Sequence, residues 1–389
     1  MKLAVFGLSV VVFAAGTAVA CDASEVQPPI RIGGDHEFVH PGILHDRAEL
    51  DFIRQRVQRG DEPWALAWKQ LRDHPVAHLD WEPRPREEVV RGAYNNPNLG
   101  ANELMEDGQA AFAHALQWYM TRDEAHAEKS IEILNAWATE LKAVGGHDAR
   151  LLVGMAGVNH MGAAELMRHT HEGWAKEEQE RFERMLYDVF YETIKDFYPT
   201  ANGNWDAAMI QTMMAMGVFL DDHRMFNRGV DYFMRGRGNG AITHYVNRKG
   251  ITQESGRSQG YAQMGLAYLG IAAEIGWTQG LDLYGAFDDR LLKGYEITAK
   301  YNLGYEVDYT PFTSIEQRYH YDEISESGRG NLRPMYETAY NHYVNRRGRE
   351  VKYLDRAVEK TRPEGYSRSH TSWRTLLFAG LPAFEKGRQ

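Results

Sequence analysis

Apolar residues recur three and four positions apart along almost the whole chain after residue 46, the spacing of one face of an α-helix. The pattern predicts helices over residues 47–59, 62–74, 103–120, 124–141, 150–168, 176–197, 205–220, 223–235, 259–275, 280–301, 333–346, 351–360 and 372–379. Strand signals are sparse, and the two best, residues 242–246 and 305–309, are short. Two longer stretches, 80–101 and 305–332, read as irregular loops of the kind that form lids or binding surfaces. The other connections are short, as consecutive antiparallel helix pairs require. No fixed-period repeat is visible, which favours a closed ring of hairpins over an open solenoid. The expected fold is all-α: a single α/α toroid over residues 37–389, a closed or incomplete barrel of about six or seven helical hairpins.

The first twenty residues stand outside this pattern. A basic start at Lys2, an apolar run and Ala18-Val19-Ala20 read as an export signal, too short for a membrane span. Cys21, the chain's single cysteine, follows directly. It is read either as a lipid anchor, with residues 21–36 as a tether, or as the start of a simply cleaved chain. Both readings place the protein in a bacterial envelope, periplasmic or secreted. A formal charge of −10 argues against a nucleic-acid partner, and the 43% of hydrophobic residues suffice for a large core.

Three polar clusters interrupt the apolar pattern. Gln253-Glu254-Ser255-Gly256-Arg257-Ser258-Gln259-Gly260-Tyr261 heads straight into a core helix, where such groups must pair with one another or with a ligand. Asn202-Gly203-Asn204-Trp205-Asp206 opens another helix. There an asparagine is commonly a cap, while an amide beside an indole also suits a sugar ring and its carboxylate. The third cluster gathers Tyr309, Arg318, Tyr319, His320, Tyr321, Arg329 and Arg333 in one loop, either a packed rim or part of a site.

These residue types suit β-elimination on a 4-linked uronate chain. The substrate carboxylate must be neutralised before the adjacent C5 proton can leave. One tyrosine, its pKa lowered by arginine, can then take that proton and protonate O4 on the same ring face, as mannuronate and glucuronate require. A hydrolase would instead use a carboxylate pair, and Asp206 with Glu254 is the candidate. The histidines, His169-Thr170-His171 included, lack metal-ligand spacing, and no nucleophile-elbow, phosphate-loop or dinucleotide motif occurs, so no metal or cofactor is expected.

The order Asn202-x-Asn204-Trp205, then Gln253-Glu254-Ser255-Gly256-Arg257-x-Gln259, resembles the alginate-lyase-like polysaccharide lyases of helical toroid fold. The likeness continues through Trp277-Thr278-Gln279-Gly280-Leu281-Asp282-Leu283-Tyr284, Lys300-Tyr301-Asn302-Leu303-Gly304, Ile324-Ser325, Gly328-Arg329-Gly330, Arg333-Pro334 and Tyr340-Asn341-His342-Tyr343. It is most similar to polysaccharide lyase family 38, whose members act on alginate or β-1,4-glucuronan, and it runs from about His40 to Phe378. Two departures matter: relatives commonly read Arg-Asp-Gln-x-His where this chain has Arg257-Ser258-Gln259-Gly260-Tyr261, so Tyr261 stands for a histidine and Ser258 for an acidic neighbour. Losing an imidazole at that place favours a syn reaction on glucuronan or mannuronate-rich chains.

The resemblance implies roles. Asn204, with Asn202 and Glu254, would neutralise the C5 carboxylate, and Arg257 would hold Glu254 or a substrate carboxylate. Tyr321 would be base and acid, with Tyr261 its rival and Tyr309 a third candidate. Arg318 and Arg329 would lower the tyrosine pKa or bind neighbouring uronates. Trp205 would stack on a sugar, and Gln253 and Gln259 would complete the substrate contacts. The implied partner is an anionic polysaccharide. A toroidal glycoside hydrolase, a non-catalytic glycan-binding lipoprotein and a scaffold remain the alternatives.

Overall fold

The computed structural model describes residue 27 and residues 29–383. The expected export signal and Cys21 lie outside the described residues. Helices α1 (Arg47–Arg59) and α2 (Trp64–Asp73) come first. Strands β1 (Glu88–Arg91) and β2 (Asn98–Leu99) lead into α3 (Ala101–Thr121) and α4 (Glu124–Glu140), and β3 (Ala143–Gly145) precedes α5 (Ala149–Thr170). Next, α6 (Lys176–Met185) runs through a π turn at Leu186–Tyr191 into α7 (Glu192–Ile194). Then come α8 (Gly203–Phe219), α9 (His223–Arg235), the single turn α10 (Ile242–Tyr245), α11 (Gln259–Thr278) and α12 (Ala286–Asn302). A small hairpin of β4 (Phe312–Thr313) and β5 (His320–Tyr321) follows. Last are α13 (Tyr336–Tyr340), continued by a π turn at Asn341–Arg346, α14 (Tyr353–Thr361) and α15 (Arg374–Phe378).

The packing order is a closed circuit, the toroid expected from the helical periodicity. α3 packs on α5, α5 on α8, α8 on α11, α11 on α13, α13 on α15 and α15 on α2, whose partner α1 returns to α3. An outer layer of α4, α9, α12 and α14 covers these inner helices. Nearly every residue of α8 and α11 is enclosed, which is why both are apolar on all sides. Glycines set the closest crossing: a β-carbon at Gly154 would lie 2.7 Å from the carbonyl carbon of Ala208, and one at Gly157 only 2.4 Å from Cγ2 of Thr212. Outer helices such as α9 bury one stripe only, Met225, Phe226, Val230, Phe233 and Met234. The circuit is pinned where Arg346 reaches Glu49 of α1 at 2.9 Å and Glu274 of α11 at 2.8 Å, all three side chains enclosed. Among the described residues no helix is long and apolar enough to cross a membrane.

Local departures from the sequence reading have local causes. Residues 242–246, expected as a strand, form the helical turn α10, and only an isolated bridge from Val246 to Thr252 remains. Residues 305–309 are irregular, and the pairing falls later, between Phe312 and Tyr321. The stretch 80–101 carries β1 and β2, which join β3 in a three-stranded sheet of order β2-β1-β3. Its β1–β3 pairing is parallel and long-range, which no local pattern announces. α12 starts later than expected, and Phe287, Asp288 and Asp289 in its first turn hold positive φ.

Candidate active site

The cluster at 253–261 joins three elements. Gln253 and Glu254 lie opposite the open N-terminus of α8 and satisfy its first amides: Gly203 N donates to Gln253 Oε1 at 2.8 Å and Asn204 N to Glu254 Oε2 at 3.1 Å. A carboxylate there also meets the positive end of the helix dipole. Asn202 does not cap α8; its Oδ1 accepts from Gln253 Nε2 at 3.2 Å. The other oxygen of Glu254 accepts from Arg257 Nη1 at 2.8 Å, and Tyr245 OH lies 3.2 Å from Oε2. Glu254 is fully enclosed, and burial pushes its pKa up to about 7 against the opposing pull of Arg257. Its contact with Arg257 holds that guanidinium in place.

Arg257 is only partly buried, and its guanidinium carbon stands 3.8 Å over the ring of Tyr261. Asn204 is nine-tenths and more buried, donates Nδ2 only to the Met264 sulfur at 3.2 Å, and leaves Oδ1 without a partner. An amide so placed is costly unless a ligand engages it.

The loop bearing Tyr321 docks on this cluster through its backbone. Ser325 N donates to Ser255 O at 2.9 Å, and Gln259 N to Ser327 O at 2.9 Å. Gln259 Nε2 adds bonds to the carbonyls of Ser255 and Ser325, each 3.0 Å, while Asn302 Nδ2 donates to its Oε1. Tyr321 packs against Gly256, where a β-carbon would stand 2.2 Å from the tyrosine Cβ. Its hydroxyl is half-buried. Burial raises its pKa, Arg257 lowers it, and Glu254 and Tyr319 raise it further, so the net shift is upward. The expectation that arginine would leave this tyrosine acidified is thus corrected: desolvation outweighs the guanidinium. Neither Tyr321 OH nor Tyr261 OH has a hydrogen-bond partner among the described residues.

Other expected site residues fall elsewhere. Gln253 and Gln259 are enclosed and fully engaged as struts. Tyr309 OH donates to Tyr321 O at 2.9 Å and supports the loop. Arg318 turns to Thr200 O at 3.2 Å. Arg329 is held by Glu306 at 2.9 Å and Glu326 at 2.8 Å, with its guanidinium 4.0 Å over Tyr301. Neither arginine acts on Tyr321 as expected. Asp206 is enclosed, accepts from Tyr198 N at 2.7 Å and Tyr232 OH at 3.0 Å, and is pushed by burial to about 6. With Glu254 equally enclosed, the candidate hydrolase pair does not face a cleft. Trp205 is half-buried, edge-on to His147 at 5.7 Å and Tyr198 at 5.4 Å, beside a groove of about 560 Å³ lined by His147, Arg150 and Tyr198.

Sequence reasoning missed Tyr245, Met264 and Arg91, which no motif marked. It also missed a second cluster. His40 and His169 stack at 4.3 Å, and Glu165 joins them, with one possible ligand atom from each within 4.8 Å of the others. The i, i+4 spacing of Glu165 and His169 on α5 was the available signal. His40 is already shared between two carboxylates, Nδ1 to Glu165 at 2.6 Å and Nε2 to Asp221 at 3.1 Å, and the cluster reads as an ionic clip.

Taken together, a buried amide with an unpartnered oxygen, a firmly held guanidinium and two phenols without hydrogen-bond partners meet at the N-terminal end of α11. The description of the family called alginate lyase matches residues 58–307, well over half of the chain. The chain belongs to the alginate lyase family. It is a polysaccharide lyase by that membership, and the hydrolase and scaffold alternatives give way. Among solved structures, an alginate lyase from Bacteroides ovatus aligns with TM-score 0.65 and 14% identity over 88% of this chain and 100% of its own. Alginate lyase A1-III from Sphingomonas species A1 aligns at 0.62 and 16%, over 85% and 94%. A tyrosine-to-phenylalanine variant of alginate lyase A1-III complexed with tetrasaccharide aligns at 0.64 and 17%, over 85% and 94%. At such identities the likeness speaks to the fold. A comparison with the curated proteins finds no match.

Proposed function

We propose that this lyase cleaves 4-linked uronate chains, β-1,4-glucuronan or mannuronate-rich alginate, by syn β-elimination. The observation that carries the reading is the position of Arg257. Glu254 fixes it at 2.8 Å, and it acts on both unpartnered phenols, stacking over Tyr261 at 3.8 Å and pulling on the Tyr321 hydroxyl. A uronate carboxylate against Arg257 and the amide of Asn204 loses the charge that protects its C5 proton. Tyr321, as phenolate, takes that proton. The C5–H electron pair becomes the C4=C5 double bond, the C4–O4 bond breaks, and the new phenol of Tyr321 protonates O4. Trp205 offers an aromatic face beyond this point. We also place the enzyme in the bacterial envelope, on the strength of the leader pattern and Cys21.

The test is ultraviolet absorbance of the 4,5-unsaturated product while the purified protein meets glucuronan, polymannuronate and polyguluronate in turn. Product from glucuronan or polymannuronate, lost in Tyr321→Phe, supports the reading. A dead Tyr261→Phe beside an active Tyr321→Phe moves the base to Tyr261. Product from polyguluronate alone overturns the syn assignment.

A further inference from the structure

The outward face of α9 carries charge that the proposed reaction does not use. The buried stripe of this helix packs on α8, and its other side presents Arg224, Arg228, Asp231 and Arg235 at helical spacing. With Arg31, Arg237 and Asp196 they line a groove of about 980 Å³. Five arginines thus face two aspartates, on a chain whose formal charge is −10. Arg31 takes both oxygens of Asp231, at 2.9 and 2.6 Å, and Arg228 donates to the carbonyl of Lys195. Arg224, Arg235 and Arg237 are exposed and make no side-chain hydrogen bond or ion pair among the described residues. The floor of the groove is apolar, with Phe197 and Tyr232 stacked at 3.7 Å beside Pro199. One wall is the segment before α1, where Asn227 bonds both backbone groups of Ile32 at 3.0 Å. The rim is the turn Arg235-Gly236-Arg237-Gly238. A β-carbon at Gly236 would lie 2.5 Å from Tyr232 Cδ1, and one at Gly238 would lie 2.5 Å from its hydroxyl. Both glycines therefore let the turn lie against that ring, with its two arginines at the edge of the groove.

We infer that this groove is a holding site for the polymer, separate from the cleft at α11: a stretch of polyuronate lies along α9 with its carboxylates on Arg224, Arg235 and Arg237. This rests on the proposed function, because a polyuronate supplies a carboxylate at every sugar. A guanidinium takes a carboxylate in bidentate contact, and the apolar floor suits the C–H face of a sugar ring. The concave shape favours a linear polyanion over a flat anionic bilayer. Arg224 and Arg235 stand about 16 Å apart along the helix, so a single uronate cannot bridge them. A chain held here while another part of it occupies the cleft raises the effective concentration of substrate without a new catalytic contact.

The experiment combines Arg224→Gln, Arg235→Gln and Arg237→Gln in one variant and compares it with wild type on polymer and on tetrasaccharide. Electrophoretic retardation by glucuronan or polymannuronate reads binding, and product absorbance reads KM and kcat. A control variant combines Arg59→Gln, Arg72→Gln and Arg184→Gln, exposed elsewhere, and loses the same charge. The groove variant is expected to raise polymer KM and weaken polymer binding about tenfold, with kcat and tetrasaccharide KM within about twofold of wild type. The retained tetrasaccharide reaction also shows that the variant is folded. Polymer binding and KM within about twofold of wild type would overturn the holding site, and so would an equal loss in the control. An equal loss on tetrasaccharide would make the groove part of the cleft and overturn it too. Retention of wild type but not the variant on phosphatidylglycerol vesicles, with polymer binding unchanged, would assign the groove to a membrane instead. If the variant alone loses polymer binding but wild type forms no product from any uronate, the holding site stands and the lyase mechanism falls. Neither binding nor product in wild type would overturn both.

Discussion

Tyr321 rests on Gly256 so closely that a β-carbon on the glycine would stand 2.2 Å from the tyrosine Cβ. Glu323 O, 2.8 Å from the same point, closes the other side. Gly256→Ala must therefore push Tyr321 away from Arg257. We expect kcat to fall about 10²-fold, as misplacement of a catalytic group does, while stability falls by about 1–3 kcal/mol. Steady-state kinetics beside a denaturant titration checks this. Wild-type kcat in a folded Gly256→Ala protein would remove Tyr321 from the chemistry.

Glu254 gives a pH signature. Its folded pKa is raised to about 7, so its contribution to stability is fully present below the unfolded carboxyl value and is lost as pH rises through about 7. Glu254→Gln keeps the shape and cannot ionise. Its melting temperature relative to wild type should rise between about pH 5 and pH 8. In wild type, activity should increase through the same interval as the ionised carboxylate fixes Arg257, and this limb should vanish in Glu254→Gln. A second rise on the alkaline side, from the raised phenol of Tyr321, should persist in both. A limb near neutrality that survives in Glu254→Gln would assign it to another group.

The helices were legible because apolar periodicity is a local property and the ring buries one stripe of each outer helix and all of α8 and α11. The left-handed turn at Phe287, Asp288 and Asp289 and the sheet joining β1 to β3 were not, since tertiary contacts alone impose them. The pairing of Glu254 with Arg257 could be read from their i, i+3 spacing. The directions of Arg318 and Arg329 could not, because a loop carries no period: one turns to Thr200 and the other to Glu306 and Glu326. Arg91 shows no signal at all in sequence, and β1 places it beside Asp148 and Met155. The capping of α8 by Gln253 and Glu254, fifty residues away, is equally invisible to a local reading.

Arg346 tests the closure of the ring separately from the chemistry. It bridges Glu49 and Glu274 in full enclosure, and Tyr284 OH also donates to Glu274 at 2.8 Å. Arg346→Ala strands two buried carboxylates and should cost about 3–5 kcal/mol, read in a denaturant titration. Activity per folded molecule should change little, because Arg346 is remote from Tyr321 in the contact circuit. A loss under about 1 kcal/mol would show that the bridge is not what closes α1 onto α11.

The clip at His40 ties the segment before α1 to the C-terminal ends of α5 and α8, and its charge state decides its strength. Burial alone would lower the His40 pKa, but hydrogen bonds and charge from Glu165 and Asp221 outweigh it and raise the value. The other groups facing the site are His169, stacked at 4.3 Å and lowered by burial and by His40, and Arg168. A histidine with a raised folded pKa contributes stability that is fully present below its unfolded pKa of about 6.5 and is lost as pH rises through the folded value. His40→Gln should therefore destabilise the protein more at about pH 5.5 than at about pH 9, by about 1–2 kcal/mol at the acidic end. Melting temperatures of wild type and variant across that range measure the gap directly. A gap that widens towards alkaline pH would mean that His40 is neutral in the folded protein and that the clip is held by packing alone.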